Sequence, residues 1–466
     1  MRDTLEARTD RDVDAHSPGR AALGALQRRM PFLRRTAERL NRWGMTPRGL
    51  LIGYAGIHAL LFGALLQNIA SGAPVGDVTL YREWALDALR GHWPVVDFSW
   101  VYPAGALGPI MLSAIAGPGL YYLAWFALMT VGNLGVALVL TDGLKRRGGY
   151  PAAWYWLSMV FILSPVSMLR LEGAAAPLVA MAFMLLARRP AIAGALLAAG
   201  AWIKVFPIAA AVAAVVTSSR RVLVAIGGIA LTAAIALAVF AAGGGTHLFS
   251  FLSSQTERAF QLEAPAATPW VWGEILGLPG YAIYWNTALV TYEVRGPNAL
   301  RTAGMMDYFM LVAFALAIVG LAFATDRIRR SGVLGESRTR AESHLVLVGA
   351  FLLTAALIVF NKVGSPQYVL WLLPVVTAGI ALEPGRWKAV ARVMQVVALL
   401  TTLVFPTFYL QLVAAEPFAA AILAARNVLL VVLFVWSGVA LIRAAVRPRF
   451  VPAPVSVATG PLRLNV

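Results

Sequence analysis

"GLLIGYAGIHALLFGALLQNIA", residues 49–70, contains no charged side chain. As a helix rising 1.5 Å per residue it would be about 33 Å long, enough to cross a hydrocarbon core about 30 Å thick. Lipid offers the backbone no hydrogen-bond partners, so a segment of this kind is expected to be helical. It is preceded by "RRMPFLRRTAERLNR", residues 28–42, and followed by "PVGDVTLYREWALDALRGHWPVVDFSWVYPAG", residues 74–105. Basic flanks stay on the cytoplasmic side, which delivers the second stretch to the outer face.

The pattern repeats outward along the 466 residues, of which 59% are hydrophobic and 13% charged, with a mean hydropathy of +0.73. The fold class expected is an all-α polytopic membrane protein. Further apolar segments lie near residues 120–141, 152–169, 174–187, 191–217, 222–243, 307–325, 343–360, 368–382, 388–412 and 417–445. The run 191–217 is too long for one upright helix and carries "WIKVFP", so two short helices meeting at Lys204 and Pro207 are expected there. That gives about twelve crossings with both termini cytoplasmic. Residues 1–48 are expected as a disordered basic tail, 49–446 as the membrane domain and 447–466 as a second tail. The outer loops fall at about 71–103 and 244–306, the latter holding short helices. The short apolar run 104–117 is expected either to insert in part or to cross, and a crossing would put Lys145 and Arg147 outside.

The formal charge of +17 is distributed in short clusters between apolar segments and is read as topology; no nucleic-acid partner is expected, since phosphate contact needs a continuous basic groove. The absence of cysteine excludes disulfides and thiolate chemistry. Five histidines without ligand spacing make a zinc site unexpected, and no glycine-rich phosphate loop is present.

Several polar residues stand out against this background. In the stretch after the first segment, Leu80, Tyr81, Trp84, Ala85, Ala88 and Leu89 fall on one half of a helix and Arg82, Glu83, Asp87 and Arg90 on the other, with Leu86 the exception, as expected of a helix lying flat at the interface. Asp77 precedes it, as N-cap or as a general base at the membrane surface. Lys204 within its apolar run and Lys362 in "FNKVGSPQY" are costly in lipid unless they face a polar cavity or an anion. With Arg258 they would suit a phosphate. Gln261 and Glu263 in the second outer loop offer paired donors and acceptors for sugar hydroxyls. Tyr81, Gln367, Tyr368 and Glu172 complete the candidate sugar- and acceptor-binding groups, Glu172 serving either a ligand or a helix starting at Ala174.

Taken together, "GDVTLY", "VYPAGAL", "KVFP", "ERAFQLEA" and "KVGSPQYVLWLLP" resemble the family 87 glycosyltransferases. These are actinobacterial GT-C membrane enzymes that include polyprenol-phosphate-mannose-dependent mannosyltransferases. The resemblance spans roughly Asp77 to Pro374. It implies a GT-C-type bundle of about twelve helices in the plasma membrane, and a transferase taking sugar from a polyprenyl-phosphate donor to a glycolipid or glycan acceptor on the outer face. By this resemblance Asp77 matches the catalytic aspartate, and Lys204 and Lys362 match positions near the donor phosphate. "LEGAAAP" stands where relatives often show a Gly-Asn-x-Asp-like helix start, with Glu172 as the nearest acid. The chemistry fits: no nucleotide is available outside, and one carboxylate suffices for an inverting single displacement. The scheme requires no metal or cofactor. Mannose is the sugar expected, with arabinofuranose as the alternative; a transporter or flippase is the alternative of a different class.

Overall fold

The structure, a computed structural model, describes residues 31–71, 76–253 and 259–446. The chain divides into two units with the boundary between Gly56 and Ile57, inside the helix Pro47–Ala70. Among the described residues, seven helices are long and apolar enough to cross a membrane, including Tyr121–Leu140, Arg221–Ala241, Ala299–Arg330, Gly335–Val359 and Pro417–Val446. Their outward faces are the reverse of a soluble protein's. Ile229 and Leu237 on one helix, and Leu311, Leu316 and Val319 on another, are about two-thirds exposed, a continuous apolar surface suited to lipid. The chain is a helical membrane protein.

The remaining five expected crossings correspond to Tyr150–Ile162, Glu172–Leu185, Pro190–Ile203, Pro207–Thr217 and Val369–Leu382, helices of 11 to 14 residues. At 1.5 Å per residue they reach only about 17–21 Å, short of the core thickness. The run 104–117 forms a 3-10 turn and the helix Leu107–Ala114, too short to cross. The break expected inside 191–217 falls between Ile203 and Pro207, where proline has no N–H to continue the ladder. Gly335–Val359 and Val369–Leu382 are buried along most of their length and form the centre of the larger unit.

Two further expectations are corrected. Residues 31–44, expected as disordered tail, form the helix Pro31–Gly44; residues 1–30 and 447–466 lie outside the described residues. The loop after residue 244 does hold the expected short helices, Ser250–Ser253 and Thr268–Ile275, but beside them lies an antiparallel hairpin, Ala282–Asn286 with Thr291–Arg295, Ala282 facing Arg295 and Asn286 facing Thr291. The β-branched and aromatic residues of "AIYWN" and "TYEVR" favour a pleated surface. The Asn286 side chain closes the turn by accepting the amides of Ala288 and Leu289. The loop ends at Asn298, earlier than the expected 306, because helix Ala299–Arg330 begins ahead of its apolar run.

Pro190–Ile203 and Arg221–Ala241 pack closely through glycine. A Cβ on Gly227 would stand 1.8 Å from the Ala191 carbonyl oxygen and one on Gly194 1.9 Å from that of Val224, whereas one on Gly228 would meet nothing nearer than 3.5 Å. Small residues are what allow two backbones this close. Gly227→Ala is therefore expected to cost about 2–3 kcal/mol through overpacking. Its neighbour Gly228→Ala should gain up to about 1 kcal/mol from helix propensity. Thermal unfolding of the two variants in detergent reads the opposite signs.

Candidate active site

Asp77 stands at the N-cap of the helix Val78–Leu89, and its carbonyl accepts the Tyr81 amide at 3.0 Å. Its carboxylate makes no capping bond. Instead Oδ2 is ion-paired with Arg170 and faces the Tyr81 hydroxyl, which donates at 3.4 Å. Gly76, at φ 111°, is in a conformation that suits glycine, and even a Cβ there would lie 3.3 Å from Arg170 Nε. Tyr81 is fully buried among the rings of Trp84, Tyr102 and Trp125, so its hydroxyl is held on Asp77 by packing. The buried face of this helix, Tyr81, Ala85 and Ala88, lies within the apolar half read from its periodicity.

The helix expected from Ala174 starts at Glu172. The Glu172 carboxylate is buried, 1% exposed, and its cation is Lys204, with Nζ 3.4 Å from Oε1. Lys204 occupies the break after Ile203 in extended conformation and also sits over the Tyr102 ring, 4.2 Å from its centroid. The loop carrying Tyr102 reaches this break because Gly105 rests on Trp202, where a Cβ would overlap both side chain and backbone.

Lys362 follows the end of Gly335–Val359, and its Nζ is 2.9 Å from Asp307 Oδ2 on Ala299–Arg330. The segment 260–264 crosses directly over this junction: the Gln261 amide donates to the Lys362 carbonyl at 3.0 Å, and a Cβ on Gly364 would stand 2.2 Å from the Ala264 nitrogen. Lys204 and Lys362 line one cavity of about 330 Å³ with Tyr102, Asp307, Tyr368 and Trp371. Tyr368 stacks on Trp371 with centroids 3.8 Å apart, and Trp371 on Phe206 at 5.3 Å. Asp77 is not on this wall; it is reached through Tyr102, whose ring touches that of Tyr81. Two lysines distant in sequence thus share one cavity, while Arg258 lies outside the described residues.

Gln261, Glu263 and Gln367 are buried. Ser365 donates to Gln261 Oε1 at 3.4 Å, and Gln367 Oε1 has no hydrogen-bond partner among the described residues. Burial pushes the Glu263 carboxyl above the usual carboxylate range, opposed by Arg426, Tyr409 and Gln261. Arg426, fully buried on Pro417–Val446, donates to the Glu263 carbonyl and to Asn427 Oδ1, and Asn427 in turn donates to Thr268 at 2.9 Å. The loop is thereby tied to the last long helix. Glu293, on the second strand of the hairpin opposite Tyr284, accepts from Tyr284 at 2.8 Å and Asn286 at 2.9 Å; burial and this bond push the Tyr284 hydroxyl up to about 12. Asp97 accepts the Trp93 amide at 2.6 Å, a loop role. His58 packs against Asn133, which also accepts Trp156 Nε1 at 2.8 Å.

Three charged residues of this constellation were not singled out from sequence: Arg170, Asp307 and Arg426. Each interrupts or borders an apolar segment, and that is the signal that pointed to Lys204; a carboxylate waiting for Arg170 or Lys362 was not visible in the linear order. No family model, no curated protein and no solved structure matches this chain. What defines it is therefore its own architecture, a helical membrane protein in which Lys204, Lys362 and Asp307, distant in sequence, line one cavity.

Proposed function

We infer that this chain is a membrane glycosyltransferase of GT-C type. It moves a sugar, mannose first, from a polyprenyl-phosphate donor to a lipid-linked or cell-envelope glycan acceptor on the outer face of the plasma membrane. The observation that carries this reading is the single cavity lined by both Lys204 and Lys362, with Asp77 behind the shared Tyr102 wall. In the reaction, an acceptor hydroxyl attacks the anomeric carbon, its proton passes to the Asp77 carboxylate, and the polyprenyl phosphate leaves with the bonding pair. Lys204 and Lys362 stabilise charge as it develops on the phosphate oxygens. Both ammoniums are already held by carboxylates, Glu172 and Asp307, so the donor phosphate adds to charges fixed in place. The acceptor hydroxyl must take the place on Asp77 that Arg170 now holds. Gln261, Glu263, Gln367 and Tyr368 then serve as sugar and acceptor contacts.

Purified protein reconstituted with polyprenyl-phosphate-mannose and a lipid extract tests this. A mannosylated lipid supports the reading. Product only with a polyprenyl-phosphate-arabinofuranose donor keeps the class and changes the sugar. Donor crossing the bilayer without product would replace the transferase by a flippase.

A further inference from the structure

The helix Pro31–Gly44 ends two residues before Pro47–Ala70. At 100° per residue, Phe32, Thr36, Leu40 and Trp43 fall within about 80° of arc, with Arg35, Arg39 and Arg42 in an adjoining sector of about 60°. A soluble helix buries such a stripe. Here Phe32 is 76% exposed, Leu40 61% and Trp43 42%, and the three arginines are exposed as well. An uncovered apolar stripe edged by arginine suits a helix lying in the plane of a membrane surface, its rings in the acyl boundary and its guanidinium groups among the headgroups.

The joint to the membrane helix is short and tightly bonded. The Thr46 hydroxyl donates to the Trp43 carbonyl at 2.6 Å and accepts the Gly49 amide at 3.0 Å, while the Thr46 amide donates to the same carbonyl at 2.9 Å. Gly49 is needed for this approach, since a Cβ would stand 2.0 Å from the Trp43 oxygen. The following helix must enter hydrocarbon, so this corner holds the amphipathic helix at headgroup depth. Its sequence carries four arginines against one glutamate, which opposes the charge of an acidic leaflet.

We propose that Pro31–Gly44 is an interfacial helix that binds anionic phospholipid at the leaflet from which the first membrane helix departs, Arg35, Arg39 and Arg42 contacting lipid phosphates. The association does not depend on the glycosyltransferase reading.

The chain has no cysteine, so Leu40→Cys and Asn41→Cys each accept a single environment-sensitive dye in the full-length protein. Both are reconstituted in vesicles of phosphatidylcholine alone and of phosphatidylcholine with phosphatidylglycerol. The expected result is a label at 40 that is blue-shifted and shielded from an aqueous quencher in the anionic vesicles, and a label at 41 that stays wet. Arg35→Gln, Arg39→Gln and Arg42→Gln should each lower the immersed-to-free ratio about fivefold. Raising salt from 0.1 to 1 M, which shortens the screening length from about 10 to about 3 Å, should weaken it in the same direction. These arginines are exposed, so an unchanged thermal midpoint checks that the variants remain folded. Equal shielding at 40 in neutral and anionic vesicles, kept when the arginines are replaced, would overturn the proposal in favour of packing on the protein or apolar burial alone. A label at 40 as wet as that at 41 would place the helix off the membrane and overturn it as well.

Discussion

Reconstituted protein carrying Asp77→Asn is expected to lose sugar transfer by about 10²- to 10⁴-fold, the range a positioned general base contributes. The loss should fall on kcat with little change in KM, because the proton moves only in the transition state. Asn keeps the size of the side chain and could still bond Tyr81, but it leaves the Arg170 guanidinium without its carboxylate. The single variant therefore also loses stability, which would confuse a structural role with a chemical one. The double variant Asp77→Asn with Arg170→Gln separates them: it should recover much of the thermal midpoint and none of the transfer. If Asp77→Asn alone transfers sugar near the wild-type rate, Asp77 is a partner of Arg170 only and the proposed base is lost.

The second large effect concerns the ion pair that Lys204, on the cavity wall, makes with Glu172. Lys204→Met should destabilise the protein by about 3–5 kcal/mol, the cost of stranding one member of a buried ion pair, because Glu172 is 1% exposed and Lys204 is its ion-pair partner. Glu172→Gln should cost less. It leaves Lys204 on the Tyr102 face, a cation–π contact worth up to about 2 kcal/mol when desolvated. Combining Lys204→Met with Glu172→Gln removes both charges and should restore most of the loss while transfer stays low. Equal losses from the two single variants, in thermal unfolding of detergent-solubilised protein, would argue that the Tyr102 contact adds nothing.

Much of the fold was legible from local chemistry. Apolar runs between basic clusters locate the helices, since an uncharged run of sufficient length has one low-energy conformation in lipid. Pro207 and the charge on Lys204 located the broken helix, because one removes a backbone donor and the other resists burial. The helix after Asp77 was legible from its period. The hairpin was not: its strands are five residues each, too short to stand out in a loop read as helical, and they form by pairing with each other and by resting on Leu262 and Phe260 through the Leu262 and Val294 amides. Nor was the helix Pro31–Gly44, whose charge reads as a tail until its arginines are placed on a helical period.

By itself the sequence determined that this protein is a bundle of membrane helices, where they break, and which few polar residues stand in apolar surroundings. Each follows from a property of one segment, its hydropathy, its proline or its charge. Only the tertiary structure decided the partnerships: Asp77 with Arg170 instead of its own helix end, Glu172 with Lys204, Lys362 with Asp307, and both lysines on one cavity. A buried charge is stable only beside its opposite, but linear order does not say which opposite. That choice is made by packing, where glycines such as Gly105 and Gly364 let distant loops come close enough for the charges to meet.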